Sequence, residues 1–159
     1  MYLLILVLCG TQKQDFSRMI RAVEELADEH EVIVQGGHNQ YESNKVKVLG
    51  FISRKEMNEL YDQADYIITH AGAGSMIQSL KKGKTTIAVP RLSKYGEHVN
   101  DHQIELADKL EKLGYLLVYH DGDQIKEVFN RAKQFKVKPY RLKGELVELV
   151  DETIEAYIR

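Results

Sequence analysis

The apolar run Tyr66-Ile67-Ile68 passes through Thr69 into His70-Ala71-Gly72-Ala73-Gly74-Ser75, and Met76-Ile77-Gln78-Ser79-Leu80 continues as a helix. A strand that ends in small residues and restarts as a helix leaves backbone N–H groups unpaired at the positive end of the helix dipole. Phosphate groups bind well there. Gly72 and Gly74 let the main chain approach a ligand, and Ser75 adds a hydroxyl donor. A bare turn would read the same way over so short a motif, so the flanking chain has to decide.

The flanking chain repeats the pattern. A strand over about 2–9 ends at Gly10-Thr11, and Asp15 is placed to cap a helix carrying Phe16, Met19, Ile20, Val23 and Ala27 inward to about residue 29. Residues 31–35 form a short strand ending at Gly36-Gly37, and residues 46–50 form a third. Ser53 with Glu56 makes a capping box for a helix with Met57, Leu60, Tyr61 and Ala64 on one face. Gly83 stops the helix after the glycine turn, and a strand over 85–89 is cut off by Pro90. A polar loop from Arg91 to about Asn100 leads to a helix over 101–113 and a last strand over 115–119. Asp121 or Asp123 then caps a helix carrying Ile125, Val128, Phe129 and Ala132. Alternating strands and helices predict an α/β fold, a Rossmann-like open parallel sheet with helices on both faces, in a single domain over 1–159.

Length and composition narrow the function. A chain of 159 residues, 43% hydrophobic and 29% charged, can bury a sizeable core. A net charge of −2 gives no bulk reason to expect nucleic acid as a partner. Cys9 is the one cysteine and lies in an apolar run, as expected of a reduced, buried thiol in a cytosolic chain. The run Met1 to Leu8 lacks a positive flank and is too short to span a bilayer, so it reads as a buried strand and not as a signal or an anchor. Toward the other end, Lys126, Arg131, Lys133, Lys136, Lys138, Arg141 and Lys143 form a basic run. Leu146, Leu149, Val150, Ile154 and Tyr157 follow at helical spacing, predicting a terminal amphipathic helix over 140–159. That helix either packs on its own sheet or, with the basic run, docks a membrane-bound partner or an anionic headgroup layer.

In doubly wound sheets ligands sit beyond the carboxyl ends of the strands. The residues placed there are Gly10, Thr11 and Gln12; Gln35, Gly36 and Gly37; Phe51 and Ile52; His70 to Ser75; and Pro90 to His102. Three of these groups are glycine-bearing strand ends, which favours a nucleotide or phosphosugar site over inert turns. A nicotinamide dinucleotide is disfavoured, because no G-x-G-x-x-G follows the first strand with an acidic residue roughly 20 positions on. His98 and His102 are four apart with Glu97 and Asp101 nearby, but no third ligand is fixed by spacing and no metal is expected. Ser75 lacks a nucleophile elbow and Cys9 is buried, so neither is a credible nucleophile.

Four segments together resemble a known family. These are Gly50-Phe51-Ile52; Ala64-Asp65 through Thr69-His70-Ala71-Gly72-Ala73-Gly74-Ser75; Ile87-Ala88-Val89-Pro90-Arg91; and Tyr95-Gly96-Glu97-His98-Val99-Asn100-Asp101-His102-Gln103. They are similar to the C-terminal domain of family 28 glycosyltransferases, over roughly residues 1–120. Gly10-Thr11 followed by Phe16 resembles the stand-alone subgroup. That subgroup includes the catalytic subunit of the eukaryotic dolichol-linked N-acetylglucosaminyltransferase and PssE-type subunits of bacterial capsule and exopolysaccharide synthesis, the bacterial type looking closer.

The resemblance implies the donor half of a GT-B enzyme: an inverting hexosyltransferase subunit that takes a UDP-sugar without a metal. It implies a membrane-anchored subunit that supplies the acceptor half and recruits the chain to the inner face of the cell membrane, with a lipid-diphosphate-linked saccharide as acceptor. By position, Phe51 and Ile52 would lie by the uracil, Ala71 to Ser75 would cradle the diphosphate, and Gln103 would face the sugar. Arg91, Glu97, His98, Asp101 and His102 belong to the same donor-binding set. Many members carry a glutamate for the ribose hydroxyls where this chain has Gln78, a change worth on the order of 1 kcal/mol. The general base is expected in the missing half, with His70 the one residue of this chain worth testing for that role. A non-catalytic scaffold that kept the fold is the alternative, and Gln78 is the residue that suggests it. A complete epimerase or hydrolase has little room in one such domain. The open cleft face of an isolated half also invites self-association.

Overall fold

The computed structural model describes residues 2–140, which form a six-stranded, wholly parallel sheet in the order β3-β2-β1-β4-β5-β6. The strands are β1 (Leu4–Leu8), β2 (Glu31–Gln35), β3 (Lys47–Leu49), β4 (Tyr66–Thr69), β5 (Thr85–Ala88) and β6 (Leu117–Val118). The helices are α1 (Ser17–Glu24), α2 (Arg54–Gln63), α3 (Ala73–Lys81), α4 (His102–Lys112) and α5 (Ile125–Gln134), with a 3-10 turn at Ser93–Tyr95. The terminal helix expected over 140–159 falls, beyond Tyr140, outside the described residues. Among those described, no helix is long and apolar enough to cross a membrane.

Alternation along β1 explains the layering. Ile5, Val7 and Cys9 point to one face and pack with Phe16, Met19, Ile20 and Val23 of α1 and with Ile125, Val128 and Phe129 of α5. Leu6 and Leu8 point to the other face, against Tyr61 and Ala64 behind α2. On that same face Met76 and Leu80 of α3 meet Leu106, Ala107 and Leu110 of α4. β1 is therefore apolar on both sides, as a central parallel strand must be. β1 and β4 are paired although they lie far apart in sequence, because the chain crosses from the β3 edge back to the middle. That crossing creates the switch point at which doubly wound sheets bind ligands.

Two expected caps differ. Phe16, not Asp15, is the N-cap of α1: its N–H is taken by Asn39 Oδ1 at 2.6 Å, and the Asp15 carboxylate accepts from Ser17 N. Gln124 is the N-cap of α5, because Asp121 is held by Lys94 and Tyr95 while Asp123 accepts from His120 N. Ser53 does cap α2, accepting the Glu56 N–H at 3.1 Å. Gly83, at φ +71, follows α3 as its stop.

Candidate functional site

β1 ends into Gly10 and β4 ends into His70, side by side in the sheet, and the His70 imidazole fills the crevice between the two strand ends. It is only 8% exposed. A Cβ on Gly10 would stand 2.5 Å from Nε2, and one on Gly72 would press still closer on the ring. Both glycines are thus required by the imidazole, whereas a Cβ on Gly74 would meet nothing. Of the two glycines expected to admit a ligand, Gly74 faces open space and Gly72 admits His70. Ala71 takes φ +66, a left-handed conformation that a residue with a Cβ adopts at some cost, and so turns the chain from β4 into α3. Met76 is the first residue of α3 whose N–H returns to a carbonyl, that of Gly72. The amides of Ala73, Gly74 and Ser75 therefore have no partner within the helix.

Burial, then the charges of Arg91 and His98, push the His70 pKa down to about 4. The ring is neutral near pH 7, and a base that weak is a poor choice for removing a proton from a hydroxyl. Its Nδ1 is buried without a partner among the described residues, and its Nε2 lies 3.4 Å from Ser75 Oγ.

The loop after β5 is framed from below. Arg91 is fully buried and donates to the carbonyls of Cys9 (2.8 Å), Gln14 (2.7 Å) and Glu97 (3.0 Å), its guanidinium 4.6 Å from the Phe16 ring centroid. Expected in the donor-binding set, it is enclosed by protein in this structure. Glu97 is likewise enclosed: it receives Arg18 in a two-pronged pair, both bonds 2.9 Å, and the Leu92 N–H at 3.0 Å. His98, also buried, sets Nδ1 against the main chain of Asn100. Asp101 accepts from Ser93 N and Oγ, bonds that hold its carboxyl below the usual range. His102 is exposed and opens α4, while Gln103 in the same turn is buried. Burial also sends the Cys9 thiol up to about 12, which leaves it inert.

An open cleft of about 580 Å³ between α2 and α3 is lined by Ile52, Ser53, Arg54, Met57, Asn58 and Gln78, the last of these three residues past Ser75. Two residues singled out from separate segments, Ile52 and Gln78, thus line one cleft. Gln78 Nε2 donates to Asn58 Oδ1 at 3.4 Å. Phe51 is 57% exposed, edge-on to His38. On the other side of the crevice the Gln35 amide brackets the Gly10 peptide, accepting from its N and facing its carbonyl. Thr11 is exposed and Gln12 half-buried beyond it. Gly36 is a packing glycine, since a Cβ there would lie 3.0 Å from the carbonyl oxygens of Asn39 and Leu49.

Arg18 and Asn58 were not singled out by sequence reasoning, and Gln35 was placed at the ligand-facing end of β2 without a role. Gln35 had a signal, standing last in a strand before two glycines. Arg18 and Asn58 are polar helix positions with none. A smaller pocket of about 290 Å³ across the 91–101 loop is lined by Arg18, Lys94, Asp101 and His120 among others, and by no residue of the glycine turn. Asp108, Glu111 and His120 bring ligand atoms within 4.8 Å of one another on the outer side of α4, away from the histidines first considered for a metal.

A glycine turn that opens a helix at the switch point of a parallel sheet stands where doubly wound folds hold their ligands. The family model for the glycosyltransferase family 28 C-terminal domain matches residues 4–152, and the chain belongs to that family. It is similar to the UDP-N-acetylglucosamine transferase subunit ALG13 of Yarrowia lipolytica, 27% identical over 113 residues, 69% of this chain and 56% of that one. The solution structure of an ALG13 superposes with TM-score 0.60 at 22% identity, covering 96% of this chain and 97% of that one. The calicheamicin glycosyltransferase CalG4 superposes with TM-score 0.63 at 17% identity, covering 99% of this chain but 38% of that one. The fold is thus that of one half of a GT-B glycosyltransferase, and the chain spans about half the length, or less, of curated relatives such as the Yarrowia protein.

Proposed function

We propose that this chain is the donor-binding subunit of an inverting UDP-sugar glycosyltransferase, acting with a membrane-anchored subunit that holds a lipid-diphosphate-linked saccharide. The observation that carries this is the α3 N-terminus at the switch point, opening beside a cleft that Ile52 and Gln78 share. The free amides of Ala73, Gly74 and Ser75, with the helix dipole behind them, stabilise charge that develops on a departing diphosphate, so no metal is needed in this reading. The uracil would take the Phe51–Ile52 side and the ribose the Gln78 side, with the sugar under the loop that ends at Gln103. Similarity to ALG13 proteins, whose name specifies UDP-N-acetylglucosamine, makes that the first donor to try. The capsule and exopolysaccharide setting expected from the resemblance gains no support from these relatives. The general base belongs to the partner, and recruitment to the inner face of the membrane is the partner's work too.

Titration calorimetry of the full chain with UDP and a panel of UDP-sugars tests the donor half. Gln78→Glu is expected to tighten UDP about fivefold, the gain of a carboxylate over an amide facing ribose hydroxyls. If the substitution leaves every affinity unchanged, Gln78 is not at the ribose. A chain that binds no UDP, with or without its partner, is a scaffold and not a donor subunit.

A further inference from the structure

β6 ends the sheet on one side, and a side chain of α4 covers its outer edge. The Tyr119 N–H turns inward to Ala88 O, so by alternation the Val118 N–H faces the open edge. There Glu111 Oε2 accepts it at 2.6 Å. The second oxygen, Oε1, lies 3.3 Å from Nε2 of His120, two residues past the end of β6. Asp108, one turn earlier on α4, completes a set whose ligand atoms all lie within 4.8 Å of one another. The main chain of His120 is positioned as well, its N–H held by Asp123 at 2.8 Å.

An ion pair alone accounts poorly for this arrangement. Charge-assisted N–H···O bonds run about 2.7–2.9 Å, shorter than the Glu111–His120 contact. Two donors bound to one tetrahedral zinc at about 2.0–2.1 Å stand roughly 3.3–3.4 Å apart, so the observed spacing is that of a coordination edge. Charge points the same way. Asp108 and Glu111 sit a turn apart near the C-terminal end of α4, where carboxylates repel each other and oppose the helix dipole. Among the described residues no lysine or arginine forms an ion pair with either of them. A cation placed between them and the imidazole relieves both conflicts.

We propose that Asp108, Glu111 and His120 bind a first-row divalent metal ion of the zinc class, which joins α4 to the end of β6. One imidazole with two carboxylates favours such an ion over magnesium or calcium, which prefer oxygen alone. Glu111 is pre-oriented, because the Val118 N–H fixes its other oxygen as the outer partner of a metal ligand does. Asp108 is exposed and swings in from solvent, and water fills the fourth position. The ion's work is structural, since none of the three residues belongs to the glycine turn or the α2–α3 cleft. It braces the segment that ends in Asp121, which receives Lys94 and Tyr95 of the 91–101 loop.

Zinc titration of the untagged, ¹⁵N-labelled full chain reads the site by calorimetry and by the histidine ring signals. One equivalent is expected, with His120 Nε2 shifting as a metal-bound nitrogen and the Val118 amide moving with it. Magnesium should bind at least about a hundredfold more weakly. Asp108→Asn, an isosteric change at an exposed position, should weaken zinc about tenfold. Glu111→Gln, which can still accept the Val118 N–H, should weaken it at least as much. Zinc should slow hydrogen exchange at Val118 in the wild type and not in Asp108→Asn. Three results overturn the proposal: no uptake of zinc, uptake at His98 or another histidine with the His120 ring unmoved, or an affinity indifferent to Asp108→Asn. In the first case Glu111 and His120 are a plain ion pair that guards the sheet edge.

Discussion

His70 is the residue on which the site turns, and its influence was only half legible in the sequence. The glycines around it signalled a turn, but spacing could not tell a glycine that admits a ligand from one that admits a side chain. Gly72 has ordinary extended torsions, so its identity depends on the imidazole alone. Gly72→Ala should destabilise the fold by about 1–3 kcal/mol through overpacking. In a His70→Ala background the same substitution should cost little, giving a coupling of at least about 1 kcal/mol in urea unfolding. Additive effects would mean that the ring yields without strain. The same burial predicts a pH dependence. Folded His70 titrates near 4 while the unfolded side chain titrates near its ordinary 6.5, so the unfolded chain binds the extra proton in between. The stabilisation is complete above 6.5 and is lost as pH falls toward 4, by up to about 3 kcal/mol. Urea midpoints for wild type and His70→Gln, compared from pH 7 to 4, should show the slope in the first and lose it in the second.

Among the elements, the strands were the most readable, because β1, β4 and β5 are buried on both faces and so are mainly apolar, Thr69 and Thr86 being the buried exceptions. Helix starts read less well where tertiary bonds decided them: Asn39 takes the Phe16 N–H, and Lys94 with Tyr95 removes Asp121 from α5. The 91–101 loop shows the same limit. Its polar residues looked like ligand groups, yet Arg91 and Glu97 are enclosed, Arg91 tying the loop to the segment after β1 and Glu97 tying it to α1. No local pattern could pair Glu97 with Arg18, which lies 79 residues away. Glu97 is almost wholly buried, so removing its partner strands a carboxylate. Arg18→Ala should destabilise the protein by roughly 2–4 kcal/mol in chemical denaturation. Arg18→Lys should recover little of that, because an ammonium cannot reproduce the two parallel bonds. Full recovery by lysine would mean that charge alone, and not the fork geometry, holds the loop.

Taken whole, the molecule was legible as a doubly wound sheet but not as this strand order. Periodicity places residues on faces, while strand order depends on where each crossover returns. The pairing of β1 with β4 brings Gly10 and His70 together although sixty residues separate them. A ligand at that junction touches turns that belong to both halves of the sheet, so its binding energy is linked to unfolding of the entire domain and not to a local opening. UDP at about a hundred times its dissociation constant should therefore stabilise the fold by about 2.7 kcal/mol. For a chain of this size that amounts to a rise in Tm of roughly 5–10 °C. Hydrogen exchange should slow together in the turns after β1 and β4, at the α3 N-terminus and in the 91–101 loop. A protein that binds UDP but keeps its Tm, or whose protection is confined to the α2–α3 cleft, holds the nucleoside without engaging the switch point. The diphosphate would then lie away from the glycine turn, and the α3 N-terminus would have to be explained by some other anion.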